Sequence, residues 1–419
     1  VNNPPSALAW ARSPTARAAI FHGVFVASVT GLKSATNALY LAHRPAEGLP
    51  LLYVLVATLM ALCTAVIAGP FSRHAPAVLL QRVSWVATVI CGGLALLFAL
   101  GFPQVLGALY VVGELYATTL SILFWSSVST WFDARSARRA FGLISAGGMA
   151  GAMVGGIAVR AVVALVGSAG LAAGAAAATS LALPLILRAA VPAGPSTTRS
   201  SLFSGARYLW GNHYPRSVAL LAATYSALGA CVDYVFRVQS AVRLTEEELA
   251  ALFGDLNALV GAAAIAYQLL ISSRVLERGG LFLFLSVVPV FLAVTGGLAA
   301  LTGWFSVVII IKALEMAGSY SIQQSGMQLL YNPMPAEARP AVRAFVDGLV
   351  KKAGMATAGV TLAVLVGIFP RLSSPWMVSV LAVCCLLMIR WLRGAYLTAL
   401  EDKLRGSRAA VVAPVIVVE

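Results

Sequence analysis

Residues Gly113 to Gly156 read GELYATTLSILFWSSVSTWFDARSARRAFGLISAGGMAGAMVGG. An apolar run carries one acid, Glu114, and closes on the pair Phe124-Trp125. A short charged segment from Asp133 to Arg139 brings in Arg135, Arg138 and Arg139, and a glycine-rich apolar run follows. Two long apolar runs around a compact basic hairpin predict two helices that cross a bilayer and turn on its positive side.

The rest of the chain repeats this pattern. It has 419 residues, 60% of them hydrophobic and 11% charged, with a mean hydropathy of +0.89. A soluble domain carries about 25% charge. Apolar stretches of about 20 residues recur, each long enough to span as a helix. An outer-membrane barrel needs short alternating segments, and these runs are continuous. Hydrocarbon obliges the backbone to satisfy its own hydrogen bonds, so the fold class is all-α, a polytopic membrane protein.

Twelve spans are predicted. The first six cover about 18–42, 51–70, 78–101, 104–131, 140–166 and 168–188. The second six cover about 216–240, 249–272, 281–301, 304–330, 353–370 and 374–396. The organisation is therefore an N-terminal six-helix bundle (1–188), a polar cytoplasmic connector (189–215), a C-terminal six-helix bundle (216–400) and a cytoplasmic tail (401–419). Six plus six is the layout of the major facilitator architecture, with a site between the bundles. Residues 1–17 read as a polar, proline-containing lead with no cleavable signal pattern.

Charge supports the count. With both termini in the cytoplasm, Arg44, Arg237, Arg243 and Arg371 fall in external loops, and Lys33, Arg160 and Lys312 fall inside spans. The other 22 of the 29 lysines and arginines fall in cytoplasmic segments. This is the asymmetry of the positive-inside rule, and it predicts a bacterial cytoplasmic membrane protein with N and C termini inside. It also accounts for the formal charge of +14 without nucleic acid, since no basic stretch interleaves with aromatics in a soluble segment. At Thr245-Glu246-Glu247-Glu248, the threonine and the acid three residues later form a capping box at the start of the eighth span.

A charge at mid-membrane costs roughly 2.5–3.5 kcal/mol on insertion scales, so each needs a partner or a wet cavity. The intramembrane set is Lys33 in the first span, Glu114 in the fourth, Arg160 in the fifth, Asp233 and Arg237 in the seventh, and Lys312 and Glu315 in the tenth. Asp255 lies near the start of the eighth. Spans 1, 4, 7 and 10 line the cavity in the major facilitator architecture, and all of these charges except Arg160 and Asp255 fall on them. The central thirds of spans 2, 3, 6, 9, 11 and 12 carry essentially none. This distribution predicts a polar or anionic small molecule handled at the midplane.

Pairing alone is the competing reading. Lys312 and Glu315 are three residues apart and Asp233 and Arg237 four, so each couple can close within one helix. Lys33 has no acid in its own span. It sits in GLKSATNAL beside Ser34, Thr36 and Asn37, where it either binds an anion or pairs with Glu114 or Asp233. The expected substrate ligands are Lys33, Asn37, Arg237 and Lys312; the expected coupling or gating residues are Glu114, Asp233 and Glu315. Tyr40, Trp125 and Phe236 are candidates for stacking on a base. Gly147, Gly151 and Gly155, spaced by four, predict close helix packing rather than a phosphate loop, which needs a Lys-Ser/Thr ending after a strand.

The five cysteines sit in apolar runs without metal spacing, and no cofactor motif is present. The histidines His22, His43, His74 and His213 read as lying at helix ends or in loops. No nucleophile–base constellation appears, so an enzyme is not expected. A monomer is favoured.

Four stretches resemble the plastid and parasite type of ATP/ADP translocase, nucleotide transporters distantly related to the major facilitators. They are Leu32-Lys33-Ser34-Ala35-Thr36-Asn37-Ala38-Leu39; Glu114-Leu115-Tyr116 with Leu123-Phe124-Trp125 and Ala137 to Leu143; Asp233-Tyr234-Val235-Phe236-Arg237 with Phe253-Gly254; and Ser319 to Pro333 followed by Arg343 and Asp347. The resemblance implies nucleotide antiport by alternating access. Gln324, Met327 and Gln328 stand where that family carries charge, and Thr36 where it has a second lysine. A triphosphate needs several cationic donors, and this cavity retains fewer. Two other functions fit the same residues: a proton-coupled exporter of small organic compounds, with Glu114 carrying the proton, and a non-transporting membrane scaffold or sensor.

Overall fold

A computed structural model describes residues 13–68, 76–129, 131, 134–187, 202–270, 272–319, 323–335, 337–368 and 375–412. Among these the secondary structure is helical, without a strand. The first six spans are α1 (Pro14–His43), α2 (Leu49–Ala68), α3 (Pro76–Ala99), α4 (Leu106–Ser129) and a pair, α5 and α6, within Ala134–Leu187. The pair is divided at Gly167, whose φ of 69° and ψ of 173° suit glycine alone, so α5 covers 134–166 and α6 covers 168–187.

A short helix, Leu202–Gly211, precedes the second set. This comprises α7 (His213–Ala241), α8 (Glu246–Leu270), α9 (Ser272–Thr302, broken at Gly280), α10 (Phe305–Gly318), α11 (Arg339–Ile368) and α12 (Trp376–Val412). The chain is an all-α multi-pass membrane protein. The face where α1 begins is called the near face below, and the opposite one the far face.

The packing follows the small residues. Gly147, Gly151 and Gly155 of α5 abut the backbone of Ala19, Gly23 and Ala27 in α1, and a Cβ at any of the three would collide with it. This is the close approach predicted from their spacing. Within the first set α3 packs on α4 and α6, and α2 on α4; within the second, α7 packs on α11 and α12, and α9 on α10 and α12. The halves meet along α5 with α8, α1 with α8, and α2 with α11. Gly156 of α5 and Gly254 of α8 touch backbone to backbone at this junction.

Several boundaries differ from the sequence reading. The tenth span is interrupted: α10 stops at Gly318, and a separate short helix, Gln324–Leu330, resumes after it. The eleventh starts at Arg339 rather than 353 and contains a π-helical turn, Val346–Val350, so Lys351 and Lys352 lie in a helix and not in a loop. Arg237, counted with the external loops in the charge tally and also among the charges of the seventh span, is 5% exposed inside α7, as the second reading had it. His22 is not at a helix end: it lies buried within α1, Nδ1 2.8 Å from the Ile144 carbonyl, its ring stacked 4.7 Å from Phe124. The side chains of Arg135, Arg138 and Arg139, residues 188–201 and 320–322, the side chains of 402–412 and residues 413–419 lie outside the described residues.

Candidate functional site

The intramembrane charges converge between the two halves. On the first-half side, Lys33 Nζ lies 3.0 Å from Glu114 Oε2. Gly113 puts α4 directly against Thr36 of α1, which brings the neighbouring Glu114 to the lysine. The Lys33 side chain is 37% exposed, against 12% for Lys312 and 6% for Arg237.

Across the cavity, Asp233 is the hub. Arg237 Nε lies 2.8 Å from its Oδ2, Lys312 Nζ lies 3.1 Å from its Oδ1, and the Tyr53 hydroxyl donates to Oδ2 at 3.0 Å. Lys312 also donates to Glu315 Oε2 at 2.9 Å, and Ser319 donates to Glu315 Oε1 at 3.0 Å. Gly229 gives Glu315 room, since a Cβ there would lie 3.2 Å from Oε1. Both intrahelical couples expected from sequence therefore form, and Lys312 joins them.

Arg237 is locked as well as paired. Its Nη1 donates to the Tyr110 hydroxyl at 2.5 Å, and its guanidinium lies 5.8 and 5.3 Å from the ring centres of Tyr53 and Tyr110. The Nε contact with Asp233 is an ion pair without an aligned hydrogen bond. Arg237 stands one turn farther toward the far face than Asp233, so the aromatic-wrapped arginine closes the site on that side.

The two clusters form one electrostatic network: Asp233 lies within Coulombic range of Lys33, and Arg237 within range of Glu114. A seventh group belongs to it that sequence reasoning missed. Lys352 of α11 lies within Coulombic range of Glu114 and Lys33 and is half-buried. Its position is fixed by the preceding Lys351 carbonyl, which accepts from Ser226 Oγ at 2.6 Å, and by Gly354, which backs onto Ala223. The π-helical turn before it rotates the helix, a feature that recurs at functional sites. Tyr53 and Tyr110 were also missed, because an aromatic in an apolar run carries no polar signal.

Asn37, one turn beyond Lys33 on the same side of α1, is 4% exposed, and its Oδ1 has no hydrogen-bond partner. The three aromatics considered for stacking are occupied. Tyr40 packs on Tyr110 at 5.6 Å, Trp125 stands edge-on to His22 and Phe141, and Phe236 meets Phe253 edge-on at 5.6 Å. Away from the cavity, Arg160 pairs with Asp255 at 2.6 Å across the α5–α8 junction.

No family profile and no curated protein matches the chain. Solved structures do. It superposes on the POT family transporter PepTSo with a TM-score of 0.69 at 10% identity, covering 92% of this chain and 98% of that one. The nucleoside transporter NupG gives 0.62 at 12% identity, with 91% and 98% covered. A D-xylose–proton symporter gives 0.62 at 12%, with 90% and 95% covered. The fold is the major facilitator fold.

Proposed function

We propose that the chain is a secondary transporter of a small polar or anionic metabolite, working by alternating access. The observation that carries this reading is the single ionic network built from both halves, Lys33 and Glu114 on one side, Asp233, Arg237, Lys312, Glu315 and Lys352 on the other. A network whose members belong to two bodies changes partners when those bodies rock. The fold of the solved transporters supports the same reading.

In this proposal residues 1–188 and 216–400 are the moving halves, and the positive-inside asymmetry puts the near face in the cytoplasm of a bacterium. The open end of the network, Lys33 with Lys352, meets the substrate first, and Asn37 lies buried one turn deeper. Arg237 and Lys312 are satisfied by Asp233 and Glu315 in this conformation and reach substrate only as those carboxylates let go. Glu114, Asp233 and Glu315 thus couple occupancy to movement: an anion arriving at Lys33 frees Glu114. The burial gradient, from the open Lys33 to the sealed Arg237, supports a state closed on the far side.

Uptake into proteoliposomes tests this. Labelled anionic metabolites, ATP among them, are offered with and without the same compound inside. Saturable counterflow that Lys33→Ala abolishes, in protein that remains monodisperse, supports the proposal; a silent protein or an indifferent Lys33 sinks it. Uptake of ATP that requires internal ADP would establish nucleotide exchange, the finer function implied by the sequence resemblance. Collapse of transport with a protonophore would instead establish proton coupling.

A further inference from the structure

The charge of the network constrains what it can hold. Its deep members among the described residues are four cations, Lys33, Arg237, Lys312 and Lys352, and three carboxylates, Glu114, Asp233 and Glu315. Each carboxylate already faces at least one cation within 3.1 Å. Lys352 has no ion-pair partner within 4.0 Å among the described residues, so the excess of one positive charge resides at the Lys33–Glu114–Lys352 end. The Arg343–Asp347–Lys351 cluster, on the near-face portion of α11, is more exposed and belongs to the entrance.

Enclosing uncompensated charge away from water costs several kcal/mol per ion. One added negative charge neutralises the deep network. A polyphosphate with three or four would leave it strongly negative, with no further cation in the set to balance it. Among the described residues the segment after α10 adds none: Gln323 accepts from Ser319 at 3.1 Å, and Met327 is buried.

A second observation bears on the ligand's neutral part. The Asn37 amide is nine-tenths buried, beside Lys33, with its oxygen unpaired. A desolvated, unpaired acceptor is unfavourable. It is relieved by a donor brought in by the ligand.

We infer that the site takes a compact anion of one net negative charge bearing a hydroxyl or amino group beside its acidic group, the acid between Lys33 and Lys352 and the donor on Asn37. This inference rests on the transport reading and narrows its substrate class. It runs against the nucleotide expectation.

The test is a charge ladder on the purified full chain in nanodiscs, read as ligand-dependent thermal stabilisation and as affinity by titration calorimetry. The probes are lactate, gluconate, propionate, malate, citrate, ATP and the neutral lactamide. The expected order places lactate or gluconate above malate, citrate and ATP, with propionate about tenfold weaker than lactate for lack of the hydroxyl. Asn37→Leu should erase the lactate–propionate difference while leaving propionate binding intact. Glu114→Gln raises the network to two excess charges and should shift preference to malate by about tenfold. Lys33→Gln should abolish binding of all the anions.

Preference of the unaltered protein for malate, citrate or ATP overturns the inference and leaves an anion transporter standing. Binding of none of the anions, or of lactamide alone, overturns both. An unchanged charge preference in Glu114→Gln also overturns the inference, and it does so without relying on any variant that fails to fold.

Discussion

Asp233 and Lys312, on α7 and α10, lie 3.1 Å apart, and each also holds a partner on its own helix. Two intrahelical pairs are thereby fused into a four-member chain, Arg237–Asp233–Lys312–Glu315. Removing an end member leaves one charge short of a partner. Removing Asp233 leaves Arg237 without any acid and takes one of the two acids from Lys312, which keeps Glu315.

Asp233→Ala is therefore expected to be the most damaging single change in the chain. Breaking a buried pair costs about 3–5 kcal/mol because the partner stays buried and charged. Thermal unfolding in detergent should show a larger loss for Asp233→Ala than for Glu315→Ala. Equal losses would mean that the four residues do not act as a chain.

Lys33 and Glu114 should behave differently. With Lys33 more than a third exposed, the pair contributes about 1 kcal/mol or less to stability. A double-mutant cycle with Lys33→Gln and Glu114→Gln should give a small coupling in unfolding and a large one in transport. A large stability coupling would make the pair a structural clasp.

The glycines of α5 supply a contrast within one helix. Gly151→Ala places a methyl into the backbone of Gly23, and Gly155→Ala into that of Ala27. Overpacking of this kind costs about 1–3 kcal/mol. Gly142→Ala meets nothing within 4 Å and should be neutral. Monodisperse yield and unfolding temperature of the three variants decide this.

Arg160 and Asp255 bridge the halves in the far half of the membrane, and His43 Nδ1 approaches Glu246 at 3.6 Å beyond them. If the halves rock, opening the far face separates these residues. Arg160→Gln should raise labelling of a Tyr40→Cys reporter, in a cysteine-free background, by an impermeant maleimide added on the far side. Unchanged labelling would show that the pair does not hold the far face closed.

Much of this was legible in the chain. Long apolar runs dictated helices that span, because hydrocarbon leaves the backbone no other partner. The four-residue glycine spacing announced a close helix contact, and the intrahelical couples Asp233–Arg237 and Lys312–Glu315 followed from helical periodicity. The confinement of charge to spans 1, 4, 7 and 10 pointed to the space between the halves. Lys352 was not legible. A Lys-Lys pair before an apolar run reads as a loop edge, and only packing of Gly354 on Ala223 and of Ser226 on Lys351 shows that the helix has begun much earlier.

Sequence alone thus determined the helices, their alternating passage through the bilayer and the residues expensive enough to require partners. These are local or compositional facts, governed by backbone hydrogen bonding and transfer energy. The tertiary structure alone decided which partner each charge found. Lys33 took Glu114 rather than Asp233, Lys312 joined two acids, and Arg237 was enclosed by Tyr53 and Tyr110. Those choices depend on distances of a few ångström between helices far apart in the chain. In a low-dielectric interior Coulomb energy changes steeply over that range, and no pattern along one helix encodes it.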